Sequence, residues 1–582
     1  MTDRFALQTS KASVHALWLG LLAVIAIALF VQSYERWGHP IIDLGRDLTV
    51  ASEISEGRAL YRERLYNYGP VAPYALAGAV SLLGDQLWVF ESVGLVVMVI
   101  CALTLYSIGA SLRGPIAGAT GTLLFLTLSA FADSTWGCNF VLPYAYAATI
   151  ALAFALLSFQ FLLIYVYGGR KNWALAISIL GLWGALGSKI EIGAAIAGVH
   201  ILAWWAHRLE IRKIGIILMS SGLLAWVFLS FFEGRESSDH SVLADNLLRF
   251  GPQIFSEAFF ADVAGFDRPL ENGLRAVAMA AGLVALLGAS QLAAEFDSRR
   301  RDRQYGRAGL AATSALVGVG LVYAIARPTL FSATIVIAPI VFFWVLIRDR
   351  RDPLLLLAAF ALLCGARIPL NYHPLWYGFT LCVPAYLLVV YGAARTVDVM
   401  PKRNAATIAL MLLVVVGLFR FEVFNYQKYA AMTSRLETEK GTLYDFPIGR
   451  AEAVQEFLED WQTMSDPPQT LVVFPEGATL NYFTGTKNPI AYQLFIPPEI
   501  PDRLIEEDII RELQRSLPDA VVIVSRNLAE FGSRGFGIDY GRRLALWLRT
   551  HYRSVRRYPR TQSGGYRINL MRLGRERDPN AG

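Results

Sequence analysis

Apolar stretches long enough to cross a bilayer, about 20 residues each, recur along the chain between residues 13 and 420. They predict thirteen spans, at 13–32, 88–110, 115–132, 142–167, 172–188, 191–206, 213–232, 273–294, 308–325, 329–347, 354–366, 374–393 and 405–420. Tyr34-Glu35-Arg36-Trp37 follows the first stretch, where a signal peptide would carry small residues for cleavage, so that stretch reads as a membrane helix. Two long polar segments interrupt the series, 33–87 and 233–272. After residue 420 the pattern changes. Leu471-Val472-Val473-Phe474 and Ala520-Val521-Val522-Ile523-Val524 read as short buried strands, with helical patterns at 449–462, 502–516 and 539–551. That alternation predicts a small α/β domain. The expected architecture is a polytopic α-helical membrane protein of about 13 transmembrane helices over 1–420, with a C-terminal α/β extracytoplasmic domain over 421–582.

Lys and Arg give the expected orientation. With a cytoplasmic N-terminus, the inside segments hold Arg4, Lys11, Arg113, Arg170, Lys171, Arg208, Arg212, Lys213, the Arg299–Arg307 run, Arg348, Arg350, Arg351, Arg395, Lys402 and Arg403. The short outside turns hold only Lys189, Arg327 and Arg367. Both polar segments and the C-terminal domain then fall outside.

Composition agrees. Of 582 residues 55% are hydrophobic and only 17% charged, against about 25% charged in soluble domains. Four cysteines make no disulfide framework. The net charge of +6 lies in short runs between apolar segments, which encodes topology rather than nucleic-acid binding. No P-loop, H-E-x-x-H, paired C-x-x-C or G-x-S-x-G occurs, so an ATP-driven transporter, a zinc protease and an elbow-type serine hydrolase lack support.

The first outside segment carries the densest chemistry: Asp43-Leu44-Gly45-Arg46-Asp47, then Glu53, Gly57, Arg58, Tyr61, and Tyr66-Asn67-Tyr68-Gly69-Pro70. A carboxylate just past the first span sits where membrane meets water and can act as general base on an acceptor hydroxyl. Arg residues beside it can bind phosphate. The bland alternative is a solvated loop with ordinary charges. Asp47 lies four residues after Asp43; on a helix the two share a face. Such a pair raises one carboxyl pKa or holds a divalent cation.

The order of one helix, a loop Asp, a Gly57–Tyr61 element, a Tyr68-Gly69-Pro70 step, an amphipathic 71–84 segment and a second helix resembles the GT-C class of membrane glycosyltransferases. Its protein O-mannosyltransferase-like and lipid A aminoarabinose transferase-like branches fit best. Asn139-Phe140-Val141-Leu142-Pro143-Tyr144, Lys189-Ile190-Glu191 and Tyr372-His373-Pro374-Leu375-Trp376-Tyr377 resemble elements of a bacterial, glycosyltransferase family 39-like subgroup. The resemblance covers roughly residues 10–420. It implies a catalytic Asp in this loop, Asp43 or Asp47, and a 71–84 segment lying on the membrane. It further implies a donor phosphate held by Arg46, Lys189, Arg367 or His373, and substrate contacts from Tyr61, Tyr68, Asn139, Tyr144, Glu191 and Tyr377. Many relatives carry Asp-Glu where this chain has Asp43-Leu44, so the choice between the two Asp residues stays open. Asp43 comes first after the span and matches the family order.

The implied function is inverting transfer of a sugar from a polyprenyl-phosphate donor to an envelope glycan, glycolipid or protein, at the periplasmic face of a bacterial inner membrane. No nucleic acid takes part, no cofactor is required, and the only candidate metal is the cation already mentioned. The absence of Asp-x-Asp, the metal motif of many nucleotide-sugar enzymes, agrees with a lipid-linked donor. The rivals are a secondary transporter or lipid flippase, which predicts matching halves and midplane charges, and a non-catalytic scaffold. Lys189 also reads as a snorkelling lysine, and His373 as an ordinary hydrogen-bonded one. Pro475-Glu476-Gly477 and the Gly532–Gly541 segment read as structural turns, with acceptor recognition as the alternative.

Overall fold

The computed structural model describes residues 12–132, 137–209, 258–298, 306–500, 502–560 and 566–574, with isolated positions between 212 and 223. The expected span 213–232, and most of the second polar segment, lie outside the described residues.

Helix α1 (Ala12–Ser33) has the expected bounds. Its Leu17, Leu21, Val24, Ile27 and Val31 form an exposed apolar stripe, which suits lipid rather than water. The first polar segment is not a loose loop. It contains α2 (Leu44–Ser55) and α3 (Val71–Leu83). Leu76, Ala77 and Val80 of α3 are buried while Leu82 is 84% exposed, as for a helix resting on a surface. Then follow α4 (Leu87–Arg113), α5 (Pro115–Phe125, continued by a π-turn to Ala130), α6 (Tyr146–Tyr167), α7 (Asn172–Leu186) and α8 (Ile190–His207). Further apolar helices cover Pro269–Ser298, Gly306–Ile325, Thr334–Arg348, Pro353–Gly365, Val383–Val399 and Arg403–Ala431. Among the described residues, 7 helical stretches are long and apolar enough to cross a membrane, and shorter apolar helices pack among them. The chain is a multi-pass membrane protein.

Two spans start late for local reasons. The stretch expected at 374–393 becomes helical only at Gly378, with one short turn of helix (Gly378–Leu381) before the main helix Val383–Val399, because Pro374 disfavours a helical residue before it and residues 372–377 turn instead. That expected at 142–167 begins at Tyr146, because a turn ordered by Asn139 occupies 139–145. The last helix overshoots 420 and runs to Ala431.

The basic loops meet at one end of the bundle. Arg113 and Arg403 both pair with Asp398, Arg395 pairs with Asp352, Arg170 reaches the His207 carbonyl, and Tyr167 reaches that of Arg351. The first polar segment, the 137–145 and 366–377 turns and the C-terminal domain lie at the other.

That domain starts with a hairpin, β1 (Ser434–Thr438) and β2 (Gly441–Asp445). Its four-stranded sheet has the order β3-β4-β6-β5, from β3 (Leu471–Phe474), β4 (Ala520–Val524), β5 (Tyr552–Tyr558) and β6 (Ile568–Leu573). β3 and β4 run parallel with Val472 opposite Val521, and β6 is antiparallel to both its neighbours. Valine-rich β3 and β4 are the two strands expected, since β-branched residues suit a buried sheet. β5 reads Tyr-Arg-Ser-Val-Arg-Arg-Tyr and its middle is exposed, so its apolar signal is weak.

The domain grips the first polar segment. Tyr444 N–H donates to the Glu35 carbonyl at 2.8 Å, Leu65 N–H to the Ala491 carbonyl at 3.1 Å, and Asn67 Nδ2 to Glu499 Oε1 at 2.6 Å. Lys440 pairs with Asp85 at 2.6 Å. The helix Ala478–Thr484 lies against α2 so closely that a Cβ on Gly45 would meet Thr479 N at 2.0 Å.

Candidate active site

The turn into α2 sets the site. Asp43 has φ 69° and ψ −62°, and Leu44 N–H donates to the Ile42 carbonyl at 2.8 Å. This is a γ-turn of the rare positive-φ kind, a strained geometry for any residue but glycine. The surroundings hold it. His39 Nδ1 accepts from the N–H groups of Ile41 and Ile42, at 3.1 and 3.0 Å. Burial, with Arg450 and Arg526 nearby, holds the His39 pKa well below its usual value, which keeps this acceptor neutral. Thr479 Oγ1 donates to the Ile41 carbonyl at 2.8 Å, and Asp43 N–H donates to Glu476 Oε1 at 3.2 Å.

Asp43 is partly accessible. Burial and then the Glu476 charge push its pKa well above the ordinary carboxylate range, while Arg526 and Arg46 pull the other way. Glu476 is buried, and its Oε2 takes Arg526 Nε at 3.1 Å; Arg526 also pairs with Glu530.

Arg46, 4% exposed, lies behind Asp43. Its guanidinium carbon is 4.8 Å from the ring centre of Tyr68, 5.4 Å from Tyr144 and 5.6 Å from Tyr66. Neither Nε nor Nη2 has a hydrogen-bond partner among the described residues; the nearest carboxylate oxygen, of Asp47, is 3.7 Å away. Buried guanidinium N–H groups without acceptors are costly, and an anion entering this tyrosine cage would satisfy them. Lys189 Nζ lies 5.0 Å from the same Tyr68 ring and 3.5 Å from Glu191. Tyr377 joins from the 366–377 turn, close enough to Tyr68, Asp43 and Arg367 to feel their charges. Asp43, Arg46, Tyr68, Tyr144, Lys189 and Tyr377 therefore come together, with Glu191 at the edge.

Other expected residues take different positions. Asp47 is buried in α2, where its two oxygens accept from Tyr66 OH and Tyr146 N–H, both at 3.0 Å. It ties α2 to α6, with both of its oxygens engaged. Among the described residues, no group of three or more His, Cys, Asp or Glu is placed to hold a metal ion. Asn139, expected as a substrate contact, has its amide engaged internally: Oδ1 accepts from the N–H groups of Val141 and Leu142, and Nδ2 donates to the Trp37 carbonyl. Tyr61 donates to the Tyr68 carbonyl and so supports the cage from behind. Arg367 stacks on Phe260 at 5.4 Å, with Nη1 buried and unbonded among the described residues. Burial, with Arg275 next, pushes the His373 pKa down to about 4; a neutral imidazole brings no charge to a phosphate.

Glu476 belongs to the Pro475-Glu476-Gly477 segment read above as a structural turn, and Arg526 carries no sequence signal of its own. Each lies two residues past the end of a short strand, where loops in α/β folds often face ligands. Within the Gly532–Gly541 segment, Asp539 accepts from Ser533 Oγ and the N–H groups of Arg534 and Gly535.

No protein-family profile and no curated protein matches the chain. Among solved structures it is similar to ArnT from Cupriavidus metallidurans bound to undecaprenyl phosphate, with 12% identity, 95% of this chain and 98% of that one covered, and a TM-score of 0.47. It is also similar to the oligosaccharyltransferase AglB from Archaeoglobus fulgidus in complex with an inhibitory peptide and a dolichol-phosphate, with 11% identity, 95% and 74% covered, and a TM-score of 0.49. An Archaeoglobus fulgidus oligosaccharyltransferase with Zn and sulfate gives 10% identity, 86% and 67% covered, and 0.47.

Proposed function

We propose that this chain is an inverting glycosyltransferase of the GT-C class. It would move a sugar from a polyprenyl-phosphate donor to an envelope glycolipid, polysaccharide or protein. The observation that carries the reading is the Arg46 guanidinium, buried in a tyrosine cage with two unbonded nitrogens, beside a carboxylate of raised pKa at the end of a membrane bundle. The cage offers charge-assisted hydrogen bonds to a phosphate, and Asp43 offers a base. Lys189 adds a second cation.

In this reading the acceptor hydroxyl loses its proton to Asp43 as its oxygen bonds to the anomeric carbon. The bond from that carbon to the phosphate oxygen breaks, and polyprenyl phosphate leaves with its electron pair. Arg46 stabilises the charge gathering on the leaving phosphate. Asp47 holds the scaffold. The dense Lys and Arg of the opposite end support a cytoplasmic position for that end. In this reading the active site and C-terminal domain face the periplasm of a bacterial inner membrane.

The test is a mass comparison of envelope glycans and glycolipids in a deletion strain of the encoding host, complemented with wild type or Asp43→Asn at equal expression. A sugar-sized mass lost on deletion and restored only by wild type is the expected result, and it names the sugar. Equal restoration by Asp43→Asn removes Asp43 as base. No change in any strain removes the transferase reading and leaves the transporter in its place.

A further inference from the structure

The C-terminal domain does more than sit near the reaction centre. Glu476 follows β3 and Arg526 follows β4, so adjacent strands of one sheet present both side chains at the same edge. Both side chains are less than one-tenth exposed, at 5% and 9%. Glu476 uses one oxygen on the Asp43 N–H and the other on Arg526. A carboxylate buried with a single cation and aimed at the backbone of another acidic residue is an expensive arrangement. A fold that only needed to dock its domain has cheaper contacts, and this chain already uses many.

We propose that Glu476 and Arg526 form a positioning pair for Asp43: Glu476 pins the strained turn through its backbone N–H, and the balance of the pair's charges sets how readily the Asp43 carboxylate takes a proton. This rests on the reading of Asp43 as the base. The groups facing Asp43 are Arg46 from α2, Tyr144 from the 137–145 turn, Tyr377 from the 366–377 turn, and Glu476, Arg526 and Glu530 from the C-terminal domain. Of these, Glu476 is the carboxylate in direct contact. A neighbouring negative charge disfavours ionisation and a positive one favours it. Glu476 therefore makes Asp43 a stronger base, and Arg526 limits the effect.

The experiment reads Asp43 without any substrate. Full-length protein purified in detergent is treated with dicyclohexylcarbodiimide, which couples to protonated carboxyl groups, over a range of pH. Peptide mass mapping follows the adduct on Asp43, with Asp43→Asn as the blank. The wild-type labelling midpoint is expected above the ordinary Asp value. Glu476→Gln should lower it by about one pH unit or more, and Arg526→Gln should raise it. Glu476→Asp should restore much of the wild-type midpoint. Shifts of opposite sign mark electrostatic tuning, because undocking of the domain would move both variants the same way. An unmoved midpoint in Glu476→Gln, shifts in one direction only, or no labelling of Asp43 at any pH overturns the proposal. These results stand apart from the envelope comparison, which tests sugar transfer alone.

Discussion

At the scale of single residues, two acidic side chains four positions apart sit in different surroundings, and their hydrogen bonds separate them. Asp47 is saturated by Tyr66 and Tyr146. Asp47→Asn turns one acceptor into a donor facing another donor. It is expected to cost about 1–3 kcal/mol of stability, read as a lower melting temperature in detergent, with activity falling only as folded protein falls. Arg46 makes the reverse case. Its unbonded nitrogens burden the ligand-free fold, so Arg46→Met should raise the melting temperature, by about 1 kcal/mol or more of stability, while abolishing retention of the polyprenyl phosphate proposed as the donor carrier. A variant that melts lower and still binds the lipid would show that the cage is not an anion site. The sequence made Asp43, Asp47 and Arg46 visible as types in a loop. It did not show which was engaged, because Tyr146 N–H lies 99 residues from Asp47 and no local pattern encodes that meeting.

At the scale of elements, long apolar helices were legible because bilayer thickness imposes a length on them. Their ends were less so: Asn139 and Pro374 reshape two helix starts through turns whose hydrogen bonds and proline constraint do not alter hydropathy. α2 was hidden inside a polar segment, since its buried face packs against the C-terminal domain. Gly45 is the residue that permits this packing, with Thr479 N only 2.0 Å from where its Cβ would lie. Gly45→Val should therefore push the helix Ala478–Thr484 off α2. Limited proteolysis is expected to release a C-terminal fragment faster than in wild type, with the membrane helices still inserted and transfer lost. Unchanged proteolysis would mean that the contact yields without consequence. Gly69 meets the Gly187 carbonyl oxygen at 2.1 Å from a built Cβ, so the Tyr68-Gly69-Pro70 step is a packing requirement as well as a motif.

At the scale of the whole molecule, rate and stability should respond to pH in opposite senses. The Asp43 pKa is raised, first by burial and then by Glu476. As a base it must be ionised, so transfer should fall as pH drops through that raised value, well above the ordinary Asp value of about 3.9. Between those two values the folded state binds more protons than the unfolded chain, so the contribution of this group to stability declines as pH rises. Spheroplasts assayed at controlled external pH read the first effect: the acid limb should follow the external pH, and a rate indifferent to it would place the site on the other side of the membrane. The fold class was readable from the α/β pattern of the tail and the spacing of the spans. The union of the two parts was not, because Glu476 meets the N–H of a residue 433 positions earlier. That separation has a consequence for biosynthesis. The first helices enter the bilayer while most of the chain is still unmade, and at that stage the turn at Asp43 has neither Glu476 nor Thr479 to hold it. A nascent or truncated chain can be fully inserted and still silent. On the reading of Asp43 as the base, competence would arrive only when the C-terminal domain has folded against that turn, so the chain would carry its own proof of completion.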